Sequence, residues 1–459
     1  MPLVSNKNRI FASVIALMSE NMTTEFNMSK YNFKIENYHA IGHADIEIDG
    51  ITVIAGGNGC GKSTLSRWLY YIIQTITKYN HYLFADFCKD INLTLENLSN
   101  LTSSWDLQDA EGYADTLNKA SSLISVVQDY NIENITLYYN KGIESFCNLF
   151  KKFLEEESDI NSQKRTLKLL GIESAKQPII KFKQNAIAKF EESLRKYQEL
   201  KAKKDLNLIW SNITNIYREK DSHPMEIQFS EDEVQILNEK LGALFGLANA
   251  LYIDTPLISS MESPRKYYWR ELKHNMLYPK DGFELSEKEQ KLIKAIGNMI
   301  DGSFVEDNTF GTELIFKAKS GVQVKLDKVA SGFKTFAYMQ RLIENGWLDN
   351  KTLLEIDEPE TNLHPQWIVE FAHLLVMVNK ELGTKIMIAS HNPDMVSAIR
   401  YISEKEGILD KTHFYLAEQR EDSELYDYKD LGNDIDPVFD SFNKSYETLQ
   451  KYVEDYGNL

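Results

Sequence analysis

The sequence predicts an α/β fold: a mainly parallel sheet wrapped by helices, with a small antiparallel β subdomain and a helical insertion. Three observations predict this class. A short apolar run leads into the glycine-rich stretch GGNGCGKST at residues 56–64, and a helical pattern follows it. Strand-like and helix-like segments alternate after residue 249, as they do in parallel sheets. Between these parts, residues 79–248 are polar and mostly helical in pattern.

The first elements are predicted from apolar alternation and turn signals. Phe33–Ile35 and Ala44–Ile48 are strand-like, and the continuous apolar run Ile51–Ala55 predicts a buried strand. Apolar residues at helical spacing then predict a helix over residues 63–78. The glycine-rich stretch is therefore expected to lie between a buried strand and a helix.

The segment 79–248 is predicted to be a helical insertion. It contains apolar residues spaced three, four and three apart, at Ile187, Phe190, Leu194 and Tyr197. This spacing suits a short helical hairpin or coiled-coil arm. Residues 151–204 carry 14 basic and eight acidic residues. That excess fits either a solvated helix face or a contact surface for DNA, RNA or an acidic partner.

Strand signals return after the insertion. Residues 250–253 predict a strand, and two strand-like segments flanking Ser320-Gly321 predict a hairpin. We then predict a helix from about Phe333 to Asn345, a strand at Leu353–Ile356, a helix over Gln366–Leu382, and strands at Lys385–Ala389 and near His413–Leu416.

Composition narrows the class of protein. The net charge of -17 argues against a surface that coats nucleic acid non-specifically, because neutralising phosphates requires an excess of Lys and Arg. Cys60, Cys88 and Cys147 form no pair at metal-ligand spacing, and they suit a reducing compartment. The longest apolar runs fall short of the roughly 20 residues that span a bilayer. We therefore expect a cytoplasmic protein with no membrane partner.

The stretch from Gly56 to Ser63 matches the P-loop pattern. In this pattern, backbone N–H groups of a glycine loop and the start of the next helix cradle phosphates. Lys62 is expected to reach the β- and γ-phosphates, and the Ser63 hydroxyl is expected to bind Mg²⁺. The predicted ligands are therefore ATP and Mg²⁺. The candidate residues are Gly56, Gly57, Asn58, Gly59, Cys60, Gly61, Lys62, Ser63 and Thr64.

Two further strands end in residues suited to the same chemistry. Asp357 and Glu358 follow the apolar strand that begins at Leu353. Asp357 is expected to complete the magnesium shell, and Glu358 to polarise the attacking water as a general base. His391 follows the next strand, where ligands gather in open α/β sheets, and is placed to sense a γ-phosphate. Glu355 interrupts the apolar strand, and the sequence offers no reason for it.

A fourth element, Val329–Lys334, opens a predicted helix. Ser331 is a plausible N-cap, so the segment fits an ordinary helix start as well as a functional motif.

In their order, these elements resemble the ABC-type P-loop ATPases. Ser331, Gly332 and Lys334 stand where those proteins carry the signature, Thr361–Pro365 falls at the D-loop, and His391 falls at the switch histidine. The resemblance implies a homodimer with two composite ATP sites, in which the signature of one protomer closes over the ATP of the other.

The spacing of the motifs resembles the SMC and RecF-like branch. The 269 positions from Lys62 to Ser331 are many for a transporter ATPase. No Cys-x-x-Cys lies in the insertion, which excludes a zinc hook. On this resemblance the chain divides into an N-terminal extension (1–30), the first part of the ATPase head (31–78), the helical insertion (79–248), the second part of the head (249–400) and an acidic C-terminal segment (401–459).

Within that branch the motifs are similar to bacterial anti-phage defence ATPases of the AAA_15 or AAA_21 type, the PtuA-type subunits of Septu and retron systems. The similarity rests on Tyr31–Tyr38, the Ser-Gly-x-Lys-Thr-Phe helix start and the Asp-Glu-Pro-Glu-Thr-Asn-Leu-His-Pro segment. It implies a higher assembly of dimers and a separate HNH nuclease of the PtuB type. Two departures concern the nucleotide: Cys60 replaces the commoner serine, and His39 stands where relatives often place an arginine or lysine.

The expected function is thus an ATPase that regulates or assembles a separate nuclease in defence. Related nucleases add a Toprim domain after the switch histidine, and the 68 residues after His391 are too few for one. The lone Asp434-Ile-Asp436 is expected to be a solvated turn. The alternative function is a RecF- or SMC-like DNA-repair ATPase that binds DNA without a dedicated nuclease.

Overall fold

The computed structural model describes residues 29–105, 107, 110–127, 130–217, 223–238, 240–255, 267–307 and 313–440. Most of the expected N-terminal extension and the end of the acidic segment lie outside these ranges. The chain divides into two compact units. Residues Lys78–Ile209 form one, which we call the helical unit, and the residues before and after it form the other, the sheet unit.

The described residues form 13 strands and 12 α-helices. The strands are β1 (Tyr31–Tyr38), β2 (Ile41–Ile48), β3 (Ile51–Ala55), β4 (Glu226–Glu231), β5 (Val234–Gln235), β6 (Asn249–Asp254), β7 (Gly302–Asp307), β8 (Glu313–Ala318), β9 (Gln323–Lys325), β10 (Thr352–Asp357), β11 (Lys385–Ser390), β12 (Thr412–Gln419) and β13 (Tyr426–Asp430). The helices are α1 (Lys62–Thr77), α2 (Tyr79–Thr102), α3 (Ala110–Ser125), α4 (Ile132–Glu156), α5 (Ile160–Leu169), α6 (Pro178–Lys203), α7 (Leu206–Tyr217), α8 (Tyr267–Leu277), α9 (Glu287–Met299), α10 (Ser331–Glu344), α11 (Pro365–Leu382) and α12 (Pro393–Glu406).

Ten strands form one sheet in the order β5-β4-β1-β2-β13-β12-β3-β11-β10-β6. The central strand β3 is parallel to both of its neighbours, and β10 is parallel to β11 and β6. In register, Ala55 pairs with Ser390, Ala389 with Asp357, and Asp357 with Asp254. The carboxyl ends of four strands therefore meet at one edge, as predicted for a mainly parallel α/β sheet. Strands β7, β8 and β9 form a separate antiparallel sheet, which confirms the predicted hairpin.

The predicted insertion, residues 79–248, is helical only as far as Tyr217. Strand β4 follows, and it pairs antiparallel with β1 in the main sheet. Phe229 of β4 stacks on Tyr31 with 5.9 Å between the ring centroids. The strand is short and its apolar residues are few, so the sequence pattern was too weak to predict it.

The helical unit is a bundle with an aromatic core. Tyr139 of α4 stacks on Phe190 of α6 with 4.9 Å between the ring centroids, and Phe87 of α2 stacks on Tyr197 of α6. Phe190 and Tyr197 are buried, whereas Ile187 is exposed. The spacing that suggested a hairpin or arm is thus used for packing one helix onto several neighbours. No helix of the described residues is long and apolar enough to cross a membrane.

An ion cluster lies where strands β3 and β12 begin. His413 Nε2 lies 2.8 Å from Asp49 Oδ1, and Lys30 Nζ lies 3.6 Å from Asp49 Oδ2 and 3.1 Å from Glu47 Oε1. Burial, the largest single effect, raises the pKa of Asp49, but the hydrogen bond with His413 and the charges of His413 and Lys30 together outweigh it, so the pKa is lowered. Burial alone would lower the pKa of His413, but the bond to Asp49 raises it. Within the cluster, Asp49 and His413 therefore form a charged pair that stabilises the fold.

Candidate active site

The loop between β3 and α1 has the backbone of a phosphate cradle. Gly59 and Gly61 have φ angles of 81° and 98°, which favour glycine. A Cβ on Gly57 or Gly59 would meet no atom within 4 Å, so the loop faces open space there. A Cβ on Gly61 would come 2.8 Å from Ile41 Cγ1. Glycine is therefore required at position 61 by packing as well as by backbone conformation.

Lys62 binds the loop itself. Its Nζ donates hydrogen bonds to the carbonyl oxygens of Gly56 (2.9 Å) and Gly57 (2.8 Å), and the residue is buried. The sequence predicts that this ammonium reaches phosphates, which also lie against the loop. Lys62 therefore lies against the loop, and the carbonyls of Gly56 and Gly57 are partners that a bound phosphate would compete with.

Cys60 does not face the open side of the loop. Its side chain is fully buried, and its Sγ lies 2.9 Å from where a Cβ on Gly56 would be. Its carbonyl oxygen accepts a 2.9 Å hydrogen bond from the Tyr428 hydroxyl of β13. The residue that departs from the commoner serine thus contributes to packing, and Tyr428 ties the loop to the sheet.

Ser63 and Asp357 lie side by side. The Ser63 side chain lies close enough to the Asp357 carboxylate to lower its pKa, and Tyr252 donates to Asp357 Oδ2 at 3.1 Å. Burial raises the Asp357 pKa to about 6; the Ser63 side chain and the Tyr252 hydroxyl oppose that shift, and the charges of Asp254 and Glu358 add to it. The other carboxylate oxygen, Oδ1, is buried and has no partner among the described residues. A hydroxyl beside an unpartnered carboxylate oxygen fits a Mg²⁺ ion, which prefers oxygen ligands.

Two carboxylates near Asp357 had no role in the sequence prediction. Asp254 ends β6, is in register with Asp357, and accepts a 3.1 Å hydrogen bond from the Tyr268 hydroxyl. Glu355 lies two residues before Asp357 and so on the same face of the strand. It is fully buried with both oxygens unpartnered among the described residues, and burial followed by the charge of Asp357 raises its pKa well above the usual value. The residue that interrupts the apolar strand therefore lies behind the carboxylate expected to bind metal.

Glu358 and His391 meet beyond the strand ends. Glu358 has a φ of 48°, and its N–H donates to the Ala389 carbonyl at 2.7 Å. This bond fixes the turn after β10 against β11. His391 Nδ1 lies 3.4 Å from Glu358 Oε1 and 3.3 Å from Glu360 Oε1. The structure thus brings together the predicted base and the predicted γ-phosphate sensor, and it adds Glu360, which the sequence analysis missed.

Ser331, Gly332 and Lys334 start helix α10. The N-cap is Ala330 rather than Ser331, because the helix begins at Ser331, two residues before the predicted start near Phe333. A Cβ on Gly332 would come 2.9 Å from the Asn362 carbonyl and from Leu363 Cδ2, so the signature segment packs against the D-loop segment. Neither Gly332 nor Lys334 is among the described residues that line the cleft formed by the glycine loop of the same chain.

The glycine loop opens onto a cleft of ≈ 900 Å³. Two turns of the chain form its other wall: His39-Ala40, between β1 and β2, and Gln419–Tyr426, which joins β12 to β13. Tyr426 N donates to the Ala40 carbonyl at 2.8 Å and holds the two turns together. His39 has a φ of 51° and lies in this wall. The second turn is polar and exposed and carries no motif, so no sequence signal identified it.

A glycine loop between a buried strand and a helix, with acidic residues at the end of a nearby parallel strand, defines the class of P-loop nucleotide-binding proteins. The family described as "AAA ATPase domain", AAA_15, matches residues 28–396. The chain therefore belongs to this family and carries an ATPase domain.

Several solved structures are similar to the chain. The SMC head domain from Thermotoga maritima is 9% identical, with 88% of this chain and 99% of that chain covered and a TM-score of 0.34. The Smc head domain with an extended coiled coil bound to the C-terminal domain of ScpA, from Pyrococcus furiosus, is 10% identical, with coverage of 92% and 98% and a TM-score of 0.34. An ATP-binding cassette of an ABC transporter in its ADP conformation is 11% identical, with coverage of 85% and 87% and a TM-score of 0.29. At these TM-scores the likenesses carry no conclusion about function. No curated protein matches the sequence.

Proposed function

We propose that the chain binds and hydrolyses ATP with Mg²⁺ at a composite site shared by two copies. The observation that carries this proposal is the unpartnered, buried oxygen of Asp357 beside the Ser63 hydroxyl, at the mouth of the glycine loop. Glu358 and His391 at the same edge of the sheet support hydrolysis rather than binding alone.

Each predicted residue has a role in this proposal. The backbone N–H groups of residues 57–64 would bind phosphate oxygens, and Lys62 would exchange its loop carbonyls for the β- and γ-phosphates. Ser63 and Asp357 would hold Mg²⁺, which neutralises phosphate charge when it is bound. Glu358 would take a proton from the attacking water, while His391 faces the γ-phosphate.

The signature residues would act on the partner's nucleotide. The support is the sequence resemblance, which puts Ser331, Gly332 and Lys334 where ABC-type ATPases carry the signature; neither Gly332 nor Lys334 is among the described residues that line the cleft of their own chain. Lys62→Ala and Ser331→Arg are each expected to lower ATPase activity by at least about tenfold. In an equal mixture, about half of the dimers would be mixed and carry one intact site, so about a quarter of wild-type activity should return. If mixing restores nothing while both variants remain folded and dimeric, the composite site is rejected.

We further propose that this ATPase controls a separate HNH nuclease in bacterial anti-phage defence. The support is the similarity of its motifs to PtuA-type subunits. The protein should be purified with and without its neighbouring gene product, and DNA cleavage and assembly size should be measured. We expect cleavage and an assembly of several dimers only with the partner present. Cleavage by the ATPase alone would contradict the division of labour, and DNA binding with no nuclease among its neighbours would favour a repair ATPase of the RecF or SMC kind.

A further inference from the structure

We infer that Glu360 is a positioning residue that holds His391 for the reaction at the γ-phosphate. This inference rests on the proposed ATP hydrolysis and adds a residue to it. Glu360 lies in the segment after β10, two residues beyond the proposed base Glu358.

One oxygen of Glu360 organises the end of the neighbouring strand. Its Oε1 accepts hydrogen bonds from the His391 backbone N–H (2.9 Å) and from the Ser390 hydroxyl (2.8 Å). The same oxygen lies 3.3 Å from His391 Nδ1, as an ion-pair contact rather than an aligned hydrogen bond. Glu360 thus contacts both the main chain and the ring of His391.

Burial makes this carboxylate costly. Glu360 is only 5% exposed, and its Oε2 has no partner among the described residues. A buried carboxylate is unfavourable unless it is paired. A neutral amide at this position would accept the same bonds from the N–H and the hydroxyl at a lower cost. What a carboxylate adds is a negative charge toward Nδ1.

The contact determines how the imidazole is presented. With Nδ1 turned toward Glu360, Nε2 is on the other side of the ring and is available to the γ-phosphate. Glu358 also lies near Nδ1, at 3.4 Å. If Glu360 were absent, His391 would have Glu358 as its remaining carboxylate partner, and the base would be drawn away from water. Loss of Glu360 should therefore slow the chemical step and leave ATP binding nearly unchanged.

The test is a double-mutant cycle with Glu360→Gln, which keeps size and removes charge. We expect kcat to fall by about tenfold to a hundredfold, with the KM for ATP within about twofold of wild type. In a His391→Ala background, Glu360→Gln should lower kcat no further, because the residue acts through His391. Glu370→Gln on α11 is the matched control and should leave both constants unchanged. A wild-type kcat in Glu360→Gln, or an equal loss in both backgrounds, overturns the inference.

Two further measurements keep the inference testable. If Glu360→Gln folds poorly, Ser390→Ala removes one donor to the same oxygen, and its loss of kcat should likewise vanish in His391→Ala; an additive loss overturns the inference. In protein labelled with ¹⁵N at its nine histidines, the His391 ring signals, assigned by their loss in His391→Ala, should move in Glu360→Gln and not in Glu370→Gln. Unmoved signals overturn the inference whether or not ATP is hydrolysed. Moved signals in a protein without hydrolysis support the positioning of the ring and reject the proposed function.

Discussion

Replacing Tyr428 with phenylalanine tests how strongly the sheet holds the glycine loop. The Tyr428 side chain is buried, and its hydroxyl donates to the Cys60 carbonyl at 2.9 Å. Phenylalanine keeps the ring and its packing, so no cavity forms, but the carbonyl loses its partner. Leaving a buried acceptor unpaired costs about 1–3 kcal/mol.

Part of that cost should appear in nucleotide affinity. A loop that is no longer held by Tyr428 must be ordered when phosphate binds, and about 1.4 kcal/mol of such ordering is a tenfold change in Kd. We expect Tyr428→Phe to raise the Kd for ATP by about threefold to tenfold and to lower the Tm. Isothermal titration calorimetry and thermal unfolding measure the two effects separately.

Tyr415 supplies a matched control. It is equally buried, on the adjacent strand β12, and its hydroxyl accepts a 2.9 Å hydrogen bond from the Glu47 N–H of β2 rather than contacting the loop. Tyr415→Phe should lower the Tm by a similar amount and leave the Kd for ATP unchanged. Equal changes of Kd in both variants, or no change in Tyr428→Phe despite a lower Tm, would refute the reasoning.

Three other outcomes are expected. The Glu358→Gln variant should bind ATP, but its kcat should be lower by about a hundredfold or more. Dimers that persist on size-exclusion chromatography in the presence of ATP would show that the variant is trapped with ATP bound. A wild-type rate of hydrolysis would exclude Glu358 as the base. Asp357, with a pKa of about 6, must lose its proton to bind Mg²⁺. Titrations should therefore show Mg·ATP affinity falling more steeply below pH 6 in wild type than in Asp357→Asn, where only the protonation of the phosphate remains. The pKa of His413 is raised in the folded state, so its charged form stabilises the fold below about pH 6.5. The pKa of Asp49 is lowered, so its charged form stabilises the fold above about pH 4. We therefore expect His413→Gln to lower the free energy of unfolding, measured with denaturant, by about 1–2 kcal/mol between about pH 4 and about pH 6.5, and by less at pH 9. A decrease that does not depend on pH would contradict the ion pair.

Local patterns predicted the parts of the site that lie next to each other in sequence. The strand Ile51–Ala55 and the helix after the loop follow from apolar spacing. The loop follows from its glycines, which suit backbone conformations that other residues rarely adopt. Asp357 and Glu358 were predicted because an apolar strand ends there.

Residues whose role depends on strand order were not predictable in this way. Asp254 becomes a neighbour of Asp357 only because β6 pairs with β10, and Glu360 reaches His391 only because β10 lies beside β11. Strand β4 was missed because its pairing with β1 spans nearly 200 residues of chain and leaves little local pattern. The helix that starts at Ser331 was predicted. Whether its first residues are an ordinary helix start or contact the nucleotide of a second copy depends on how two copies assemble, which a local sequence pattern does not determine.

Helix α1 connects the glycine loop to the helical unit along the chain. It starts at Lys62, inside the glycine loop, and its 16 residues run for about 24 Å to Thr77. One residue, Lys78, separates it from α2, the first helix of the helical unit. The helix that begins at the phosphate-binding loop is therefore joined along the chain, through a single residue, to the first helix of the helical unit.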